Sequence, residues 1–156
     1  MKQVVDPTML FGTWILVAVE IRYSNGDVSY PWGIEPDGHL VYAADGYMSA
    51  VISAHNREHF TTNDILTGSM EEQARAARSY ISYGGPYELQ GNEVTHHVAV
   101  SLFPNWIGQA QKRFIELVDS ERLILRSAPL LASGREGIGY LIWQRRDQDL
   151  DSSTQL

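Results

Sequence analysis

Turn signals recur so often along this chain that only short strands fit between them. Ser24-Asn25-Gly26-Asp27, Pro36-Asp37-Gly38, Ala44-Asp45-Gly46, Gly91-Asn92 and Asp119-Ser120-Glu121 are clusters of the residue types that reverse a chain. The spacing predicts strands over residues 11–23, 28–32, 39–43, 47–54, 87–90, 93–103, 109–118, 122–127 and 139–145, with a loop over 128–137. Only one helix is expected, within 69–83. Ser69 and Glu72 fit a capping box, and Met70, Ala74, Ala77 and Ile81 form one narrow apolar stripe before Gly84-Gly85-Pro86 stops it. One short helix cannot make a core, so it should lie on or across a sheet. An antiparallel sheet with this many strands is best closed on itself, because closure removes its edges. The expected fold is therefore all-β: a closed antiparallel barrel of about eight strands with one short α-helix. A single domain should span 1–156, with its core at about 10–146 and a polar tail from 147 expected to fray.

The expected strand at 93–103 is the most informative. Its alternation puts Val94, His96, Val98, Val100 and Leu102 on one face, a Val/Leu surface with a single imidazole set into it. A pocket wall looks like this, and so does a core with one satisfied histidine. His97 points the other way, to the surface or an interface.

Charge and composition exclude several functions. With 12 Lys and Arg against 19 Asp and Glu, the net charge is −7, which disfavours nucleic-acid and anionic-membrane partners. No apolar run approaches the ~18 residues of a membrane span. There is no cysteine, so disulfides and thiolate chemistry are excluded. The N-terminus has no apolar core of signal-peptide length, and the expectation is a soluble, cytoplasmic protein. His55 and His59 are four residues apart but lack a helical His-Glu-x-x-His arrangement, so no metal is expected. No glycine-rich phosphate loop or nucleophile elbow is present, and no cofactor is implied.

An ordered set of motifs resembles the lipocalin-like domain family. It comprises Phe11-Gly12-Thr13-Trp14, Gly38-His39-Leu40-Val41-Tyr42 followed by Asp45-Gly46, and Tyr83-Gly84-Gly85-Pro86-Tyr87. Val94-Thr95-His96-His97-Val98, Phe103-Pro104-Asn105-Trp106, Gln111-Lys112-Arg113 and Trp143-Gln144-Arg145 complete it. The likeness runs from about Leu10 to Arg146. It implies a small-molecule binder, with some members in natural-product pathways where such barrels can act as cyclases or isomerases. The cysteine pair of secreted lipocalins is missing, which argues against an extracellular carrier.

The resemblance also implies that Trp14 lies inside at the closed end, with Arg145 stacked on Trp14 or Trp143. Alternation from Trp14 then turns Leu16, Ala18, Glu20 and Arg22 inward. Hydrophobicity alone selects Ile15, Val17, Val19 and Ile21 instead, with Glu20 in solvent. On the first parity, which we follow, the apolar outer face would call for cover from the helix or a second subunit, a homodimer. Interior candidates for ligand contact are Tyr42, Tyr83, Tyr87, Gln111, Arg113 and Trp143. Glu20 with His96, or with Arg113, is the candidate catalytic pair, because a carboxylate in an apolar barrel can work as a general acid or base. The same pair could equally be structural. The resulting expectation is a protein that binds a small, largely apolar molecule in its cavity. The alternatives are a cofactor-free isomerase, cyclase or dehydratase using that cavity, and a structural protein whose barrel is filled.

Overall fold

The structure is a computed structural model that describes residues 4–146, so the tail expected to fray lies outside the described residues. Ten strands form one antiparallel sheet: β1 (Gly12–Tyr23), β2 (Val28–Ser29), β3 (Asp37–Tyr42), β4 (Tyr47–Ser53), β5 (Tyr80–Gln90), β6 (Glu93–His97), β7 (Val100–Ser101), β8 (Ala110–Val118), β9 (Arg122–Ala132) and β10 (Arg135–Arg145). Eight of them follow the order β10-β9-β8-β6-β5-β4-β3-β1, and β10 pairs back onto β1 to close the barrel. The short strands β2 and β7 add to β1 and β5. The expected closed barrel of about eight strands is the fold observed. Among the described residues, no helix is long and apolar enough to cross a membrane.

Strand one obeys both sequence readings in turn. Trp14 and Leu16 are buried, and so are Val19 and Ile21, because the pairing of β1 with β10 shifts register between Leu16 and Ala18. A β-bulge there flips the alternation halfway along the strand. Glu20 therefore points outward, not into the barrel as expected. Its carboxylate accepts from Arg22 at 3.1 Å, and the Arg22 guanidinium lies 3.8 Å from the centre of the Tyr140 ring. Arg22 and Ala18 likewise lose the inward positions assigned to them by simple alternation.

Three other expectations need correction. The strand expected at 93–103 breaks after His97. Val98 is still buried, but Val100 and Leu102 swing out to 62% and 42% exposure. The segment expected as a loop at 128–137 is mostly strand, since β9 and β10 continue to a tight hairpin at Ser133-Gly134 with positive φ at both residues. Finally, Gly84-Gly85-Pro86 does not follow a helix but lies inside β5. Gly85 is there for close approach: a Cβ on it would sit 1.9 Å from the His97 carbonyl oxygen. Gly85→Ala should destabilise the barrel by roughly 1–3 kcal/mol or more, the scale of overpacking a tight site. Unchanged stability on urea denaturation would show that β5 and β6 can part there.

The helix, α1 (Met70–Arg78), has the expected capping box: the Ser69 hydroxyl accepts from the Glu72 backbone N–H, and the Glu72 carboxylate accepts from that of Ser69. Its expected apolar stripe does not pack on the sheet. No α1 residue is buried, Met70 is 88% exposed, and Ile81 belongs to β5. Polar ties hold the helix instead, from Glu72 to the Thr61 N–H at 2.7 Å and from Arg75 to Glu58 at 2.8 Å. Ile15 and Val17, on the outer face of β1, remain about half exposed.

The Trp14 end of the barrel is shut. The Trp14 indole N–H donates to Leu10 O at 3.0 Å, and the Arg145 guanidinium stacks 3.9 Å from the ring centre. Arg145 also donates to the carbonyls of Phe11 and Met9, which ties the lead-in across the barrel base.

Candidate functional site

The barrel is not filled. A cavity of about 420 Å3 occupies its interior, in the range of small-molecule sites. Aliphatic side chains such as Val19, Ile21, Leu40, Ala50, Ile52, Leu125 and Leu141 make most of the wall. The cavity reaches the surface past Tyr30, Trp32 and Leu131, of which Tyr30 and Leu131 are 43% and 79% exposed. It is therefore an apolar pocket with a closed base and one open end.

A few polar groups interrupt this wall. His96, from β6, is 1% exposed and lies between two tyrosines. Its Nε2 is 2.7 Å from the Tyr42 hydroxyl of β3, and its Nδ1 is 2.7 Å from the Tyr83 hydroxyl of β5. Tyr83 and His96 line the cavity, while Tyr42 stands behind them. Burial, the nearby Arg113 cation and His97 together hold His96 well below the usual histidine range, so the ring is neutral near pH 7. Burial pushes the Tyr42 hydroxyl well up, and Tyr83 adds to the rise. Burial likewise raises Tyr83, against the pull of the Arg113 guanidinium beside it. Both tyrosines are thus neutral hydroxyls.

Arg113, from β8, is 8% exposed and also lines the cavity. It donates to the Lys112 carbonyl at 3.0 Å and to the Gln111 side chain at 3.5 Å. Among the described residues no carboxylate comes within ion-pair distance of it. The carboxylates of β5, β6 and β8 are engaged elsewhere: Glu88 with His97, Glu93 with Lys112 and Glu116 with Arg126. Ser29, Ser127 and Ser133 also line the cavity, as does Trp143 from β10. Trp143 is 1% exposed, and its indole N–H is buried without an acceptor among the described residues.

The sequence-derived candidates thus separate. Tyr83, His96, Arg113 and Trp143 line one cavity. Gln111 contacts Arg113 without lining the cavity. Tyr87 turns its hydroxyl to the Ala43 carbonyl at 2.8 Å and packs edge-on against Tyr42. Glu20 is on the other side of the sheet, so the acid–base pair with His96 or Arg113 is not assembled. His97 points outward, bonded to Glu88 at 2.8 Å. Trp106 and Trp32 were not among the candidates, yet both line the cavity, and Trp106 packs edge-on against Tyr83 at 5.5 Å. Trp32 sits in a turn and Trp106 in a short 3-10 helix, where strand alternation carries no information. The available signals were Pro31 beside Trp32 and the Phe103-Pro104-Asn105-Trp106 motif.

The model of the lipocalin-like domain family matches residues 11–146, the whole barrel. This chain belongs to the lipocalin-like domain family. One relative is the 4'-hydroxy-3'-methoxypropiophenone carrier protein ppsC of Aspergillus oryzae. It is 30% identical over 106 residues, which cover 63% of this chain and 96% of the relative. Among solved structures, a redesigned beta barrel superposes with a TM-score of 0.44 at 11% identity, covering 94% of this chain and 100% of that one. A lipocalin-like barrel with an open apolar cavity and a carrier among its relatives fits small-molecule binding.

Proposed function

We propose that this lipocalin-like protein is a carrier for a small aromatic intermediate of a natural-product pathway, a flat apolar molecule bearing an oxygen function. The observation that carries this reading is the cavity itself: about 420 Å3, aliphatic along most of its wall, open at one end, with Tyr83 and Arg113 among its polar groups. An aromatic ring suits the wall, and an oxygen substituent suits those donors. The ligand in the name of the Aspergillus oryzae relative, a methoxyphenol with an aryl ketone, belongs to this class.

Three tryptophans, Trp32, Trp106 and Trp143, line the cavity, so binding should quench their fluorescence. Titration with para-hydroxypropiophenone is expected to give saturable quenching at one site, with the compound recovered unchanged. Ala50→Phe should abolish it. Ala50 lies in the wall opposite Tyr83 across β4 and β5, and a phenyl ring would fill space that the ligand needs. We expect affinity to fall more than tenfold with little change in melting temperature. Equal binding by this variant would place the ligand outside the barrel.

A second reading rests on the hydrogen bond between Tyr83 and His96 at the cavity wall. A hydroxyl on a neutral imidazole is a proton-carrying pair, which a cofactor-free isomerase or cyclase could use without Glu20. Conversion of the added compound, abolished in Tyr83→Phe, would favour it over the carrier.

A further inference from the structure

The hydrogen bonds around His96 have a direction. A neutral imidazole has one N–H and one lone pair, so of its two tyrosine partners one donates and the other accepts. The Tyr42 hydroxyl is fully buried, and His96 is its only hydrogen-bond partner among the described residues. If Tyr42 accepted from Nε2, its own O–H would be left without an acceptor in the packed barrel, which buried donors avoid. Tyr42 therefore donates to Nε2. The imidazole proton is then on Nδ1 and is donated to the Tyr83 oxygen. Tyr83 lines the cavity, and its own O–H has no acceptor among the described residues.

Beside His96, whose two ring nitrogens are both engaged, the wall presents two donors, the Tyr83 O–H and the Arg113 guanidinium. Arg113 adds a positive charge with no carboxylate beside it, and a buried unpaired charge is costly. Tyr42 and Tyr83 are neutral, His96 is neutral, and the carboxylates of β5, β6 and β8 face outward in ion pairs of their own. Nothing in the wall supplies the missing negative charge.

We propose that this wall is an oxyanion site, and that the ligand binds through a deprotonated phenol whose oxygen is the counter-ion of Arg113 and the acceptor of the Tyr83 hydroxyl. This rests on the carrier reading and adds the charge state of the cargo. A neutral hydroxyl could accept from these donors but would bring no charge to Arg113. A phenolate brings lone pairs alone, together with the charge that Arg113 lacks.

The test compares para-hydroxyacetophenone, which can ionise, with para-methoxyacetophenone, which cannot. Phenolate absorbs at longer wavelength than phenol, so the bound probe reports its own ionisation. The midpoint for the bound phenol should fall at least one pH unit below that of the free compound, which means the anion binds at least tenfold more tightly than the neutral form. The methyl ether should bind at least tenfold more weakly at pH 8. In Arg113→Gln the midpoint should return to, or rise above, the free value, and in Tyr83→Phe it should shift part of the way. The wild-type titration stands by itself if Arg113→Gln does not fold. Binding of both probes alike, with the phenol ionising at or above its free midpoint, would overturn the oxyanion site and leave the carrier standing. Binding of neither probe would overturn both.

Discussion

Replacing Trp14 with alanine should lower the stability of the barrel by about 3–5 kcal/mol, the range for loss of a large buried aromatic. The ring is fully buried, and three separate attachments converge on it. Its N–H holds the Leu10 carbonyl, its face carries the Arg145 guanidinium, and Arg145 in turn holds the carbonyls of Met9 and Phe11. Trp14 is thus the piece against which the lead-in closes the base of the barrel, with Leu10 and Val5 packed into the same core. Alanine would leave a large void and free the guanidinium, whose proton affinity burial already lowers. Trp14→Phe should cost less, because it keeps the stacking surface and loses the N–H. Both are measured by urea denaturation with unchanged slope. A loss under about 1 kcal/mol for the alanine variant would show that the base is held by something other than this ring.

The barrel was legible because its signals are local. Asp45-Gly46 marks a turn whatever surrounds it, and Gly46 does take the positive φ that such a turn needs. The capping box of Ser69 and Glu72 is equally local, and it formed as read. What failed was extrapolation by alternation across a break. Strand one contains no Gly or Pro near Val17 to announce its bulge, so one parity rule was carried through twelve residues where two apply. The catalytic candidate Glu20 fell on the wrong side for that reason alone. The break after His97 arises from the same cause: Ala99 donates to the Gly84 carbonyl and Val98 to that of Gln109, pairings set by partners far along the chain.

The site was legible residue by residue and not as an arrangement. His96 stood out as one imidazole on a Val/Leu face, and Tyr42 and Tyr83 as aromatics of the interior. That both hydroxyls end on one ring joins residues 54 and 13 positions apart, and no periodicity encodes such a contact. The isolation of Arg113 is a negative fact, visible only when the neighbouring carboxylates are seen facing outward. In physical terms, the sequence specifies which residues face inward wherever the strand is regular. The pairing of polar groups inside depends on barrel closure, which brings β3, β5, β6 and β8 to a common axis.

Mild acid should weaken this fold through one residue. Burial, Arg113 and His97 depress the proton affinity of His96 in the folded barrel, whereas the unfolded chain restores the usual value of about 6.5. Below about pH 6.5 the unfolded state takes up a proton that the folded state refuses. Stability is therefore complete above that pH and is lost as pH falls, by up to roughly 1.4 kcal/mol per pH unit. The carboxylates with lowered proton affinity, Asp6, Asp27, Glu72 and Asp119, act in the same direction, but only below their own ordinary range near pH 4. Between pH 7.5 and 5.5 the signal belongs to histidine. The other four histidines are exposed and remain in any His96 variant, so subtracting the variant's profile isolates His96. His96→Gln is the suitable control, because its amide can accept from one tyrosine and donate to the other without titrating. Wild type should lose about 1.4 kcal/mol more than this variant between pH 7.5 and 5.5. Parallel profiles would mean that the folded barrel admits a proton at His96. The imidazole would then donate to both tyrosines, and the directed chain that turns the Tyr83 hydroxyl toward the cavity would not exist.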